Sequence, residues 1–226
     1  MKNKINIITL ISVIIAIIPL LIYFRFYSIM PSKVPIHYNF NGIEDRFVQK
    51  SSVEVITMSS FGIISILFMK LIGLVVIKFS DNINKERVKV VMDIIVLLTT
   101  LLATAVSSYF LVLTTGIFKL NLLYIFQMIN IMLGILAIII GNYMPKFRQN
   151  KFSGFRTKAA LSDKNIWFKT QQFSGKVWIF SGIILIIFSI ILGSISLTIS
   201  LTIGPIVYIF MAIIPVTYSQ NISKIS

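Results

Sequence analysis

Residues 90–115 read VVMDIIVLLTTLLATAVSSYFLVLTT, with Asp93 as the lone charge. Wound as a helix at about 1.5 Å per residue, this stretch is about 39 Å long, more than the ~30 Å hydrocarbon core of a bilayer. A helix on a soluble domain keeps one polar face. Here apolar residues run all the way round, so lipid is the expected solvent. Comparable stretches run from Ile5 to Tyr27, Val53 to Ile77, Leu122 to Gly141, Val177 to Leu197 and Ile199 to Tyr218. With Val90 to Thr115 they predict about six spans. The boundary between the last two rests on Gly193, Ser194 and Ser196, weak signals for so tight a reversal. Lys2 and Lys4 ahead of the first span resemble the start of a secretory signal, but the apolar run is too long and no small-residue cleavage site follows.

The composition agrees: 57% of the 226 residues are hydrophobic and 12% charged, far from a soluble domain. With no cysteine and one histidine, the chain has no disulfide framework, no thiolate nucleophile and no multi-histidine metal centre. No cofactor is expected. The net charge of +14 would suggest nucleic acid on a soluble protein. In short loops beside apolar spans it is better explained by topology and by anionic lipid headgroups, so no direct nucleic-acid partner is expected. Lysine and arginine concentrate in the N-terminus, Lys85 to Lys89, Lys146 to Lys176 and Lys224. Lys33, Arg46, Lys50 and Lys119 fall on the other side. The positive-inside rule then places both termini in the cytoplasm.

Residues 30–52, MPSKVPIHYNFNGIEDRFVQKSS, form the one sizeable external loop. Pro31 and Pro35 favour extended backbone, and Ile36, Tyr38 and Phe40 alternate up to Asn41-Gly42, a dipeptide suited to a two-residue hairpin turn. The expected register pairs Phe40 with Ile43, Tyr38 with Asp45 and His37 with Arg46. His37, Glu44 and Asp45 carry donor atoms that metals use, but one histidine is a thin basis for a metal site, and solvated hairpin residues are the preferred reading. Arg25, Glu54, Lys70 and Asp93 lie in or beside spans. Lys70 is the deepest and is the candidate for a transport role.

Residues 141–175, GNYMPKFRQNKFSGFRTKAALSDKNIWFKTQQFSG, make the basic inner loop. Across Asn142 to Lys176 it holds eight lysines and arginines against Asp163 alone. Gly154 beside Arg156 and Thr157 reads as a tight turn where backbone can approach a partner or a phosphate. Ser162 reads as the N-cap of a following amphipathic helix. That helix aligns Ile166, Thr170, Phe173 and Val177 on one stripe, with Lys164, Gln171 and Gln172 elsewhere and Trp167 at the lipid interface.

The spacing GN-x-x-P-K, N-x-x-x-G-x-R-T, L-S and W-x-x-T-x-x-F-x-G resembles the SdpI family, membrane immunity proteins for a secreted sporulation-delaying toxin. The outer pattern, P-x-x-x-P-x-H followed by N-G-x-x-D, resembles the N-terminal domain of unknown function that often accompanies such sequences. Lys158, Ala159 and Ala160 stand where family members more often carry proline, an aromatic residue and threonine. Phe168, Gln171 and Gln172 depart from a more basic pattern around the tryptophan. The resemblance implies a polytopic protein of the bacterial plasma membrane that protects its cell from a membrane-active peptide toxin. In the founding case it also holds a cytoplasmic repressor at the membrane.

The resulting expectation is an all-α polytopic membrane protein with a small extracellular β-hairpin and a cytoplasmic amphipathic interfacial helix. Residues 1–115 form an N-terminal membrane region and residues 116–226 an SdpI-like one with the basic loop 142–176. Candidate binding residues are Pro35, His37, Asn41, Gly42 and Asp45 outside. Inside, the candidates for binding or interfacial roles are Asn150, Gly154, Arg156, Thr157, Leu161, Ser162, Trp167, Thr170 and Gly175. Toxin immunity with signalling is the leading function. A transporter or channel component is the alternative, and it would need polar residues converging at mid-membrane, where Gln127, Asn130 and Lys70 are available. The residue constellations for nucleophilic or metal-assisted catalysis are not visible in the spans, so an enzyme is not expected.

Overall fold

The structure, a computed structural model, describes residues 7–39, 41–78, 85–117, 121–150, 153–193 and 195–224, with only the backbone of Arg87. The first span is two helices, α1 (Ile7–Ala16) and α2 (Ile18–Phe26). Their junction is at Ile17, just ahead of Pro19, which cannot donate to the preceding turn. Strands β1 (Lys33–Tyr38) and β2 (Glu44–Gln49) form an antiparallel pair. Ser52 then caps the short helix α3 (Val53–Ser59), and α4 (Phe61–Lys78) follows after Ser60. The remaining helices are α5 (Lys85–Thr115), α6 (Leu122–Tyr143), α7 (Lys158–Ser162), α8 (Lys164–Ile191) and α9 (Leu197–Ile222).

Among the described residues six helical segments are long and apolar enough to cross a membrane: Ile7–Phe26, Phe61–Lys78, Val88–Thr115, Leu122–Lys146, Lys164–Ile191 and Leu197–Ile222. Large apolar side chains such as Leu21, Phe24, Leu67, Leu74, Phe180 and Ile209 point outward, the arrangement a lipid solvent favours. The chain is a multi-pass membrane protein. The hairpin sits at one end of the bundle. The loop between α6 and α8 sits at the other, where α1 begins and α9 ends.

The two halves pack differently. In the first, Ala16, Ile66 and Val96 bring α1, α4 and α5 together, and Gly62 lies flush on α1, where a Cβ would come 2.8 Å from Ala16 Cα. In the second, α6 and α8 cross on glycines two helical turns apart. A Cβ on Gly134 would lie 2.8 Å from Gly182 O, and one on Gly141 the same distance from Gly175 O. Such contact lets backbones meet where lipid supplies no hydrophobic drive.

Several expectations are corrected. His37 pairs with Arg46 as expected, but Tyr38 pairs with Glu44 rather than Asp45. The turn is not the two-residue Asn41-Gly42 type. Gly42 N–H donates to Asn39 O at 2.9 Å, and Asn39 N–H donates to Ile43 O at 2.9 Å. Gly42, at φ +75°, supplies the left-handed residue of a three-residue loop. Asn39 explains the shift, because its side-chain oxygen accepts from Asn41 N at 2.9 Å and Ile43 N at 3.0 Å, closing the loop one residue earlier. The proposed Phe40–Ile43 pair lies outside the described residues. The fifth span ends at Ile191 and the sixth begins at Leu197, so the reversal precedes the expected position. The segment read as an amphipathic interfacial helix leading into the fifth span is the start of α8, continuous with that span. Its N-cap is not Ser162, which ends α7. Asp163 Oδ1 accepts from Ile166 N at 2.8 Å.

Candidate functional site

At the hairpin end, Tyr23, Met30, Val34, Val55 and Leu111 form a small core that seats β1 on α2, α3 and α5. Lys50 clasps the other strand down by donating from Nζ to Tyr27 O at 2.8 Å and Met30 O at 3.1 Å. The hairpin is thereby held above a cavity of 560 Å³ where the two halves of the bundle meet. Val106 and Phe110 of α5, Ile125, Phe126 and Ile129 of α6, and Leu197 and Leu201 of α9 form the apolar walls. Ile36, His37, Tyr38, Asn39 and Asp45 of the hairpin complete them. His37 Nδ1 lies 2.5 Å from Asp45 Oδ1. Tyr38 stacks edge-on against Phe110, with ring centroids 6.0 Å apart, and its hydroxyl donates to Glu44 Oε1 at 3.4 Å. Burial, then the Glu44 charge, push the Tyr38 hydroxyl up to about 12, so it stays a neutral donor across physiological pH. A cavity of this size with mostly apolar walls and a few polar groups at one edge suits an apolar ligand segment.

At the opposite end the basic loop folds back on α8 and α9. Trp167 Nε1 donates to Phe147 O at 2.8 Å, and Trp167, Ala160 and Ile166 form a buried cluster. Gln171, fully buried, holds the turn from both sides: Oε1 accepts from Phe155 N at 3.1 Å and Nε2 donates to Phe155 O at 2.9 Å. Gly154, at φ +86°, lies against it, and a Cβ there would come 2.5 Å from Gln171 Oε1. Thr157 caps α7 through Ala160 N at 3.0 Å, and its hydroxyl lies 2.5 Å from that of Ser219 on α9. Asn150 Oδ1 accepts from Ser153 N at 2.8 Å.

Residues 146–219 match the model of the SdpI/YfhL protein family, and residues 14–63 match a domain of unknown function, DUF1648. The chain is SdpI-like, with an N-terminal DUF1648 region. No curated protein and no solved structure gives a match. The DUF1648 match contains the whole hairpin. The SdpI match contains the basic loop from Lys146 onward, α7, α8 and most of α9.

Within this SdpI-like chain, the two groups of predicted site residues have different surroundings. His37 and Asp45 reach the cavity, whereas Asn41 and Gly42 line an adjoining concavity. Pro35 pairs with Phe47 in the strand ladder. In the SdpI-matched half, Thr170 is completely buried and Gly175 lies in the α6–α8 crossing. Trp167 is 2% exposed, which corrects its placement at the lipid interface: its N–H needs an acceptor, and Phe147 O provides one inside the protein. Gln171, placed off the apolar stripe by sequence, is on the buried face because the Phe155 peptide satisfies its amide. Arg156, Leu161 and Ser162 remain exposed.

No group of three or more metal-ligating side chains occurs among the described residues. The polar residues considered for a transport path are held by their neighbours. Gln127 Nε2 donates to Ser189 O at 3.0 Å, and Asn130 Nδ2 to Ser200 O at 2.7 Å. Lys70 Nζ bonds to Asp93 Oδ1 and to Thr9 Oγ1, each at 2.8 Å. Sequence reasoning missed the cavity walls, since Val106, Phe126 or Leu201 look like any other apolar residue of a span.

Proposed function

We propose that this protein is an immunity protein of the bacterial plasma membrane, with both termini cytoplasmic, that protects its cell against a secreted membrane-active peptide toxin. The cavity beneath the hairpin carries this reading: it opens at the proposed outer end and is walled by both halves of the chain. An apolar segment of the peptide fits there and is withdrawn from the bilayer it would damage. The SdpI match supports the immunity class. Relay to a cytoplasmic repressor belongs to the same reading. α9 lines the cavity at Leu197 and Leu201 and grips the basic loop through Ser219 and Thr157, so one helix touches both ends. The lysines and arginines of that loop meet anionic headgroups.

The test uses a sensitive bacterial strain challenged with culture supernatant from the strain that carries this chain. Wild-type protein should raise tolerance. Val106→Trp and Leu201→Trp, which fill the cavity, should abolish most of the gain at matched membrane abundance. Unchanged tolerance in both variants would remove the cavity from the mechanism.

A further inference from the structure

The cavity beneath the hairpin has a neighbour. A second, more open concavity of 960 Å³ shares Tyr38, Leu122 and Leu197 with it and extends past Asn41, Glu44 and Phe47 toward Ser196. Among the described residues, the ionisable groups on these joined walls, tyrosine apart, are Asp45 and His37 on the cavity and Glu44 on the concavity. Lys119 lies outside the described residues. This differs from the chain as a whole, where 21 lysines and arginines face 7 carboxylates. The hairpin's own cations are placed elsewhere: Arg46 lies 3.9 Å from Glu54, Lys50 is bonded to the Tyr27 and Met30 carbonyls just past α2, and Lys33 pairs with Gln49 at the far end of the strand ladder. Glu44 and Asp45 keep much of their surface open.

We infer that the hairpin site selects a cationic amphipath, a ligand whose apolar body fills the cavity and whose amine or guanidinium group rests at the edge lined by Asp45, with Glu44 on the adjoining concavity. The inference rests on the cavity reading above and adds the ligand's charge to it. The apolar walls set no preference for charge, so discrimination falls to the edge. A cation there gains a charge-assisted hydrogen bond, stronger than a neutral one, and an anion is repelled. His37 is hydrogen-bonded to Asp45. An incoming cation competes with that imidazole, so His37 lowers affinity for it.

The experiment embeds the full chain in nanodiscs of zwitterionic lipid. It photolabels the protein with a dodecylammonium probe bearing a terminal diazirine, or with the dodecyl sulfate analogue. Labelling should map to peptides containing Val106 to Phe110, Ile125 to Ile129 and Leu197 to Leu201. The ammonium probe should label about tenfold more than the sulfate, a preference of about 1.4 kcal/mol. The double variant Asp45→Asn with Glu44→Gln should label at the same places with the preference reduced to within about twofold. His37→Gln, which keeps both carboxylates, should increase the ammonium preference. Equal or sulfate-favoured labelling of the wild type overturns the charge preference and leaves the cavity reading standing. Absence of labelling at these peptides by either probe overturns both. An unchanged ammonium preference in the double variant also overturns the assignment to these carboxylates.

Discussion

The first three-helix group, α1, α4 and α5, is joined across the membrane by charge and hydroxyl. Lys70 bridges Asp93 and Thr9, Thr104 Oγ1 donates to Ile15 O at 3.4 Å, and Ser107 Oγ of α5 donates to Met58 O of the neighbouring α3. The second group, α6, α8 and α9, is joined by shape and by uncharged side-chain donors. Its glycine crossings bring the backbones into contact, and Gln127, Asn130, Tyr208 and Trp178 reach neighbouring carbonyls. An ion pair tolerates some lateral movement, since Coulomb attraction falls slowly with distance. A glycine crossing does not, because dispersion is lost within an ångström. The first group has one such glycine contact as well, Gly62 on α1, so what sets it apart among the described residues is the Lys70–Asp93 pair.

The sharpest break of this comparison is at Asp93, whose side chain is 10% exposed. Asp93→Leu leaves the Lys70 ammonium, 36% exposed, without its carboxylate; a fully buried pair broken from one side costs about 3–5 kcal/mol, and the lower end of that range is expected here. The double variant Lys70→Leu with Asp93→Leu should recover most of that loss. Thermal unfolding in detergent, followed by loss of the monodisperse peak, measures both. Equal damage from the single and double variants would mean that the pair has no specific role.

Next is Gly141→Val, which drives a branched side chain into the Gly175 carbonyl and should cost about 1–3 kcal/mol by overpacking. Gly73→Ala makes the control, since a Cβ there meets only Met92 side-chain atoms at 3.5 Å or more, and it should be nearly silent in the same assay. A smaller effect is expected at the start of α8. Asp163→Ala should cost about 1 kcal/mol through the lost cap, whereas Ser162→Ala should leave stability nearly unchanged because its hydroxyl only contacts Ala159 O within α7.

The spans were legible because length and hydropathy follow directly from bilayer thickness, and the hairpin because prolines and Asn41-Gly42 punctuate it. Its register was legible at His37–Arg46 but not at Tyr38, because Asn39 closes the loop through its side chain, a choice that Asn-Gly does not signal. On the inner side, an N-cap read at Ser162 failed for a related reason: Asp163 follows immediately, and its carboxylate is an equally good acceptor. Gln171 looked like a polar-face residue because only the folded loop brings the Phe155 peptide to it. The cavity itself was invisible. It is made of the same apolar residues that face lipid elsewhere, and nothing local distinguishes an inward Phe126 from an outward Phe180.

The claim that the cavity receives the toxin has a direct test, because the native chain contains no cysteine. Single variants Val106→Cys in the cavity and Lys158→Cys at the basic end would be treated, in intact cells, with a membrane-impermeant thiol reagent small enough to enter beneath the hairpin. The account predicts that Val106→Cys reacts from outside and becomes protected when toxin-containing supernatant is added, while Lys158→Cys is unreactive in both conditions. Reaction at Val106→Cys that toxin leaves unchanged, in cells whose tolerance is intact, would contradict it.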